Sequence, residues 1–199
     1  MNIALHKPMS LEQFLAWEEW QPLRYEFDGL QPVAMTGGTA AHAAIQVNLI
    51  AALRAGLRGK PCRPYGSDLK VQVAGRIRYP DAVVVCTPVA PRSTVVTEPV
   101  VVFEVLSDST ASDDLVTRNA EYRATPSIQR HVILQQTKAA AIVFSRRGED
   151  WLTDLITGED TLLRLPEADI EIPLSEIYAD VEFGAAKEEA APGEEERIP

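Results

Sequence analysis

YPDAVVVC, residues 79–86, and VVVFEVL, residues 100–106, decide the fold. Each run is short, continuously apolar and rich in β-branched valine. That is the pattern of a strand buried on both faces, not of one that alternates toward solvent. The two runs predict central strands of one sheet, covered on both sides. Each carries one acid: Asp81 follows Pro80 at the entry to the first, and Glu104 interrupts the second.

Outward from these strands the chain alternates helix and strand signals. SLEQFLAWEEW starts with Ser10 and has Gln13 three residues later, a capping-box spacing ahead of an apolar stripe of Leu11, Phe14, Leu15 and Trp17. RYEFDGLQPVAM alternates around Asp28-Gly29, which predicts a β-hairpin, with Pro32 sending its second strand to an edge. Thr39 caps a helix running to about Leu57, lined by Ile45, Leu49, Ala52 and Leu53 and ended by Gly56 and Gly59. Residues Lys70 to Val73 alternate as a further strand. After Glu104, the segment containing Ser107, Ser109 and Thr110 has the composition of a turn and helix cap, and Pro126 closes the helix that follows. HVILQQ, AAIVFSRR and DWLTDLIT read as an antiparallel series, and SEIYADV as a last helical turn. The expected class is α/β, an α+β arrangement with a mixed central sheet flanked by helices. The expected organisation is a single domain over 1–184 and a charged tail, disordered in solution, over 185–199.

The chain has 199 residues and a formal net charge of −10. The acidity is not evenly spread: residues 1–147 hold 16 Lys and Arg against 13 Asp and Glu, whereas residues 148–199 hold 3 against 16. A mildly basic front portion is compatible with a phosphate-bearing ligand, despite the overall sign. No apolar stretch approaches the roughly 20 residues of a membrane span, and the start lacks a secretory pattern, so the expected location is the cytoplasm. Cys62 and Cys86 are the two cysteines, with no CxxC and no histidine cluster beside them; they read as small core or edge residues, with neither a disulfide framework nor a zinc site indicated.

Glu104 is the chemical anomaly. An ionised carboxylate among valines costs on the order of several kcal/mol unless it is paired or bound to metal. Two accounts are open: it faces an open side of the sheet or pairs with an arginine, or it converges with Asp81 on a hard cation such as Mg²⁺ or Mn²⁺. Asp114, Arg118 and Tyr122 recur every four residues and share one face of their helix, where Asp114 and Arg118 also suit a surface ion pair. His42 lies on the apolar stripe of its helix, the position of a core or rim histidine. The Gly37-Gly38 pair is a break between elements, and nothing supports a nucleophilic triad.

YEFDG, YPDAVVV and VFEVLSDST, followed by Asp114, Arg118 and Tyr122, resemble the Uma-two family of candidate restriction endonucleases, within the PD-(D/E)XK nuclease superfamily. The resemblance runs from about Leu11 to Tyr178. It implies a restriction endonuclease-like core in which Asp81 and Glu104 are the acidic metal ligands, joined by Glu26 of the YEFDG strand as a third; an exposed hairpin acid is the alternative for Glu26. The superfamily's lysine two residues after the second acid is Leu106 here, and the family's helical lysine is matched by Arg118. Lys70 is the nearest alternative cation.

The function implied is a Mg²⁺- or Mn²⁺-dependent endodeoxyribonuclease that hydrolyses DNA phosphodiester bonds with a metal-activated water, catalysed by Asp81, Glu104, Arg118 and Glu26. A homodimer is the partner state the resemblance implies. The alternative is a nuclease-fold module that binds nucleic acid or protein without cleavage, because arginine stands in the lysine position. The acidic tail would shield the basic face in the free protein.

Overall fold

The computed structural model describes residues 8–35, 37–106 and 112–183, without the side chains of 112–115. The turn at Ser107, Ser109 and Thr110, the Asp114 side chain and the acidic tail, expected above as a cap, a helix-face partner and a shield, lie outside the described residues.

The N-terminal part follows its local signals. Helix α1 (Leu11–Glu18) opens with a full capping box, Ser10 accepting the Gln13 amide while Gln13 accepts the Ser10 amide. The hairpin β1 (Tyr25–Phe27) and β2 (Pro32–Ala34) turns at Gly29, whose φ of +97° suits glycine, and Asp28 Oδ1 accepts the amides of Leu30 and Gln31 at 2.8 and 2.7 Å. β2 is an edge strand, as Pro32 requires. Thr39 caps α2 (Ala40–Gly56) by accepting the His42 amide at 3.1 Å.

β3 (Arg63–Gly66), β4 (Lys70–Val73), β5 (Arg76–Arg78), β6 (Ala82–Val85), β7 (Val95–Val96) and β8 (Val101–Val105) follow. A crossover helix, α3 (Ser112–Ala124), then leads to β9 (Arg130–Leu134), β10 (Ala140–Arg147) and β11 (Asp150–Thr157). The chain continues through β12 (Leu162–Leu165), β13 (Ile170–Pro173) and α4 (Leu174–Ile177). The main sheet has six strands in the order β11-β10-β9-β8-β6-β3; β8 and β9 are parallel, as a helical crossover allows, and the other neighbours are antiparallel. A second sheet, ordered β2-β1-β5-β4-β7, gathers the N-terminal hairpin and the strand from Lys70. The two apolar runs are thus central, β6 and β8 lying side by side.

Alternation along these strands divides the core. Ala82, Val84, Val101, Phe103 and Val105 pack with Ile45, Leu49 and Leu53 of α2 and with the β12–β13 hairpin. Val83, Val85 and Val102 face the other way, toward Val71, Val73 and Val96 of the second sheet and Tyr122 of α3. Phe14, Phe27, Ile77 and Tyr79 form a smaller cluster under α1, with the Phe14 and Phe27 rings stacked at 5.0 Å. Glu104 has the parity of Val102, so the strand aims it at α3 and the second sheet rather than at α2.

One expectation is corrected. Cys62 and Cys86 are not separate small residues: they form a disulfide. The reason is register. Arg63 pairs with Val85 across β3 and β6, and the cysteines stand one residue beyond that pair on neighbouring strands. Among the described residues no helix is long and apolar enough to cross a membrane.

Candidate active site

Pro80 and Asp81 bring the chain out of the second sheet into β6, and the 82-to-103 pairing sets Asp81 alongside residues 104 and 105 of β8. Asp81 is held from several directions. Its Oδ2 accepts the Val105 amide at 2.7 Å and lies 3.3 Å from His42 Nε2, and its Oδ1 accepts from Gln46 Nε2 at 3.1 Å. Two of those donors come from successive turns of α2. The His42 imidazole is pushed above its ordinary range, chiefly by its hydrogen bond to Asp81, with burial opposing and the charges of Asp81 and Glu104 adding to the rise.

The Glu104 side chain keeps 13% exposure and sits between two groups of α3. Tyr122 donates its hydroxyl to Oε1 at 2.5 Å, and Arg118 Nη1 approaches the same oxygen at 3.4 Å. Burial raises the Glu104 carboxyl to about 7; Arg118 and the Tyr122 hydrogen bond resist, while the charges of Asp81 and Glu26 add to the rise. Tyr122 is itself pushed well up, first by burial and then by the neighbouring Glu104 charge, and so remains a donor.

Glu26 on β1 joins this group from the second sheet. It is 4% exposed, which is not an exposed hairpin acid. Its Oε1 accepts the Tyr79 amide at 3.0 Å and Arg118 Nη1 at 3.1 Å; its Oε2 accepts Arg118 Nη2 at 2.8 Å and Arg78 Nη1 at 3.2 Å. Arg78 in turn forms a two-pronged pair with Glu121 of α3, both bonds at 2.7 Å. A buried chain of alternating charge therefore runs from Glu121 through Arg78, Glu26 and Arg118 to Glu104.

The candidate residues Asp81, Glu104, Arg118 and Glu26 meet at one place, where β1, β6, β8 and α3 converge. Lys70 belongs elsewhere: its ammonium pairs with Glu18, whose other oxygen accepts from Tyr79 at 2.7 Å, so this cation serves the α1 contact. Sequence reading does not single out Gln46 or Arg78, and it places His42 as a core or rim histidine without naming Asp81 as its partner. The spacing of His42 and Gln46, one helical turn, is the signal that a polar edge accompanies the apolar stripe of α2. Among the described residues no group of three or more His, Cys, Asp and Glu stands in metal-holding geometry.

This architecture is a restriction endonuclease-like fold. The Uma2 family, described as "Putative restriction endonuclease", matches residues 11–175, and the chain belongs to that family. It is 31% identical to the uncharacterized protein slr1290 of Synechocystis sp., over 88% of this chain and 94% of that protein. A second uncharacterized Synechocystis protein, sll1609, is 26% identical over 80% of this chain and 94% of its own length. In fold the chain is similar to the crystal structure of a putative nuclease belonging to DUF820 from Anabaena variabilis, with a TM-score of 0.70 and 14% identity, over 86% of this chain and 98% of the other.

Proposed function

We propose that this protein is an endodeoxyribonuclease dependent on Mg²⁺ or Mn²⁺, with Asp81 and Glu104 as the metal ligands. The supporting observation is the meeting of two carboxylates from adjacent central strands, one of them raised to about 7 by burial and in part by the charge of the other. Hard oxygen donors that repel one another are relieved by a small divalent cation, with water completing its coordination. Such a cation supplies positive charge at the scissile phosphate and acidifies an attacking water.

The chain's own residues do the rest. The Val105 amide, Gln46 and His42 orient Asp81, and Tyr122 orients Glu104. Arg118 brings a fixed positive charge beside Glu104, where it offsets the negative charge that builds on the phosphoryl oxygens. It does so electrostatically and not as a base, because a guanidinium keeps its proton. Hydrolysis forms a P–O bond from water as the P–O bond to the leaving oxygen breaks, and the leaving oxygen takes up a proton that water ultimately supplies. Membership of a family described as restriction endonucleases supports DNA as the substrate. The proposal extends to a homodimer, one copy for each strand of a duplex, in the cytoplasm.

The test compares the parent with Asp81→Asn and Glu104→Gln on supercoiled plasmid DNA, with and without Mg²⁺, alongside Mn²⁺ titration calorimetry. Both variants are expected to keep the parent's circular dichroism and to lose cleavage by about two orders of magnitude or more. Cleavage by both at the parental rate removes the assignment. DNA binding by the parent without cleavage under any divalent cation makes it a binding module instead.

A further inference from the structure

Glu26 is buried within the site but is differently placed from Asp81 and Glu104. A carboxylate offers about four lone-pair directions. Those of Glu26 meet four donors: the Tyr79 amide, Arg78 Nη1 and both terminal nitrogens of Arg118. Two of these come from the fork of Arg118, a bidentate pair at 2.8 and 3.1 Å, the geometry in which arginine and carboxylate fit best. A divalent cation touching Glu26 would have to displace a donor and sit beside two guanidiniums. The same Arg118 nitrogen that reaches Glu26 Oε1 also approaches Glu104 Oε1 at 3.4 Å. The fork is thus aimed at the site by Glu26, and Glu26 is fixed from behind by Arg78 and the Tyr79 amide.

Resting on the nuclease reading above, we infer that Glu26 is a positioning residue that acts through Arg118 and is not a ligand of the metal. The pairing also accounts for arginine at position 118. A lysine ammonium is a point donor on a flexible stem; it cannot span both oxygens of Glu26 in a plane while reaching Glu104. Glu26 and Arg118 form one unit, and Arg78 is its anchor on the second sheet.

The experiment measures Mn²⁺ affinity by calorimetry and Mg²⁺-dependent plasmid cleavage for the parent, Glu26→Gln, Arg118→Met and the double variant. If Glu26 acts through Arg118, Glu26→Gln binds Mn²⁺ within about twofold of the parent while cleavage falls by about 100-fold, the scale of losing one charge-stabilising group. In the Arg118→Met background, Glu26→Gln costs nothing further, since the unit is already broken. Glu26→Asp retains the charge against Arg78 and Arg118 and is read in place of the glutamine variant should that one fail to fold. It is expected to keep Mn²⁺ affinity and to lose about 10-fold in cleavage from its withdrawn carboxylate. A loss of about tenfold or more in Mn²⁺ affinity for either variant makes Glu26 a ligand and overturns this inference alone. A parent that binds no Mn²⁺ overturns the nuclease reading and this inference with it.

Discussion

At the residue scale, the telling feature is how differently the buried polar groups are treated. Asp81, Glu104 and Glu26 are surrounded by donors, whereas His131 is fully buried on β9 between Tyr122 and Phe144, with ring centroids at 4.7 and 5.6 Å. Its Nδ1 lies 3.2 Å from Asn119 Oδ1, and among the described residues its Nε2 has no hydrogen-bond partner. Burial, with Arg118 adding to it, lowers the imidazole to about 3 from 6.5, so the fold holds the neutral ring. The unfolded chain takes up that proton first. Stability from this group is therefore complete above pH 6.5 and is lost as pH falls from there toward about 3. Urea denaturation at pH 7.5 and pH 4.5 should show the parent losing stability at the lower pH, with His131→Phe losing less. Equal losses in the two proteins would assign the acid sensitivity to other groups. Sequence made Glu104 conspicuous, because an acid amid valines has few explanations. His131 was not, because nothing in HVILQQ says which way its first residue points.

At the element scale, α2 does more than cover the sheet. Ile45, Leu49 and Leu53 bury one stripe, while His42 and Gln46 along the edge of that stripe hold Asp81. The start of the helix therefore matters to the site. Thr39 caps it through the His42 amide itself, so fraying the first turn would loosen the imidazole as well. Thr39→Ala should cost about 1 kcal/mol in urea unfolding, and Thr39→Ser only a few tenths, because serine keeps the capping oxygen. The companion readout is Mn²⁺ affinity, which should weaken in the alanine variant and not in the serine one; identical values for both would separate the cap from the site. This cap and the three stripe residues were legible from spacing. That the polar edge meets Asp81 was not, since the contact joins residues 42 and 46 to residue 81 across a helix-to-sheet packing that no local pattern encodes.

At the scale of the whole molecule, two sheets and a crossover helix meet over one buried network, and a disulfide ties β3, at the edge of the main sheet, to the strand that follows Asp81. Cys62 is 3% exposed, and the bridge closes a segment of 24 residues. By the loop-entropy relation, opening such a bridge costs about 3 kcal/mol. Reduction with dithiothreitol, or the paired change Cys62→Ser and Cys86→Ser, should lower the urea midpoint accordingly and steepen the slope of the transition, because the uncrosslinked chain exposes more surface when it unfolds. An unchanged midpoint would mean that the bridge adds no stability. The amino-acid sequence by itself determined the capped helices, the N-terminal hairpin, the centrality of β6 and β8, and the expense of Glu104, because caps, turns and hydrophobic periodicity are properties of neighbouring residues; β7 and the β12–β13 hairpin are not legible in that way. Tertiary structure alone decided that Cys62 faces Cys86, that Lys70 goes to Glu18 while Arg118 goes to Glu26, and that His42 reaches Asp81. Each of those pairings depends on strand register or helix docking, which bring together residues far apart in the chain.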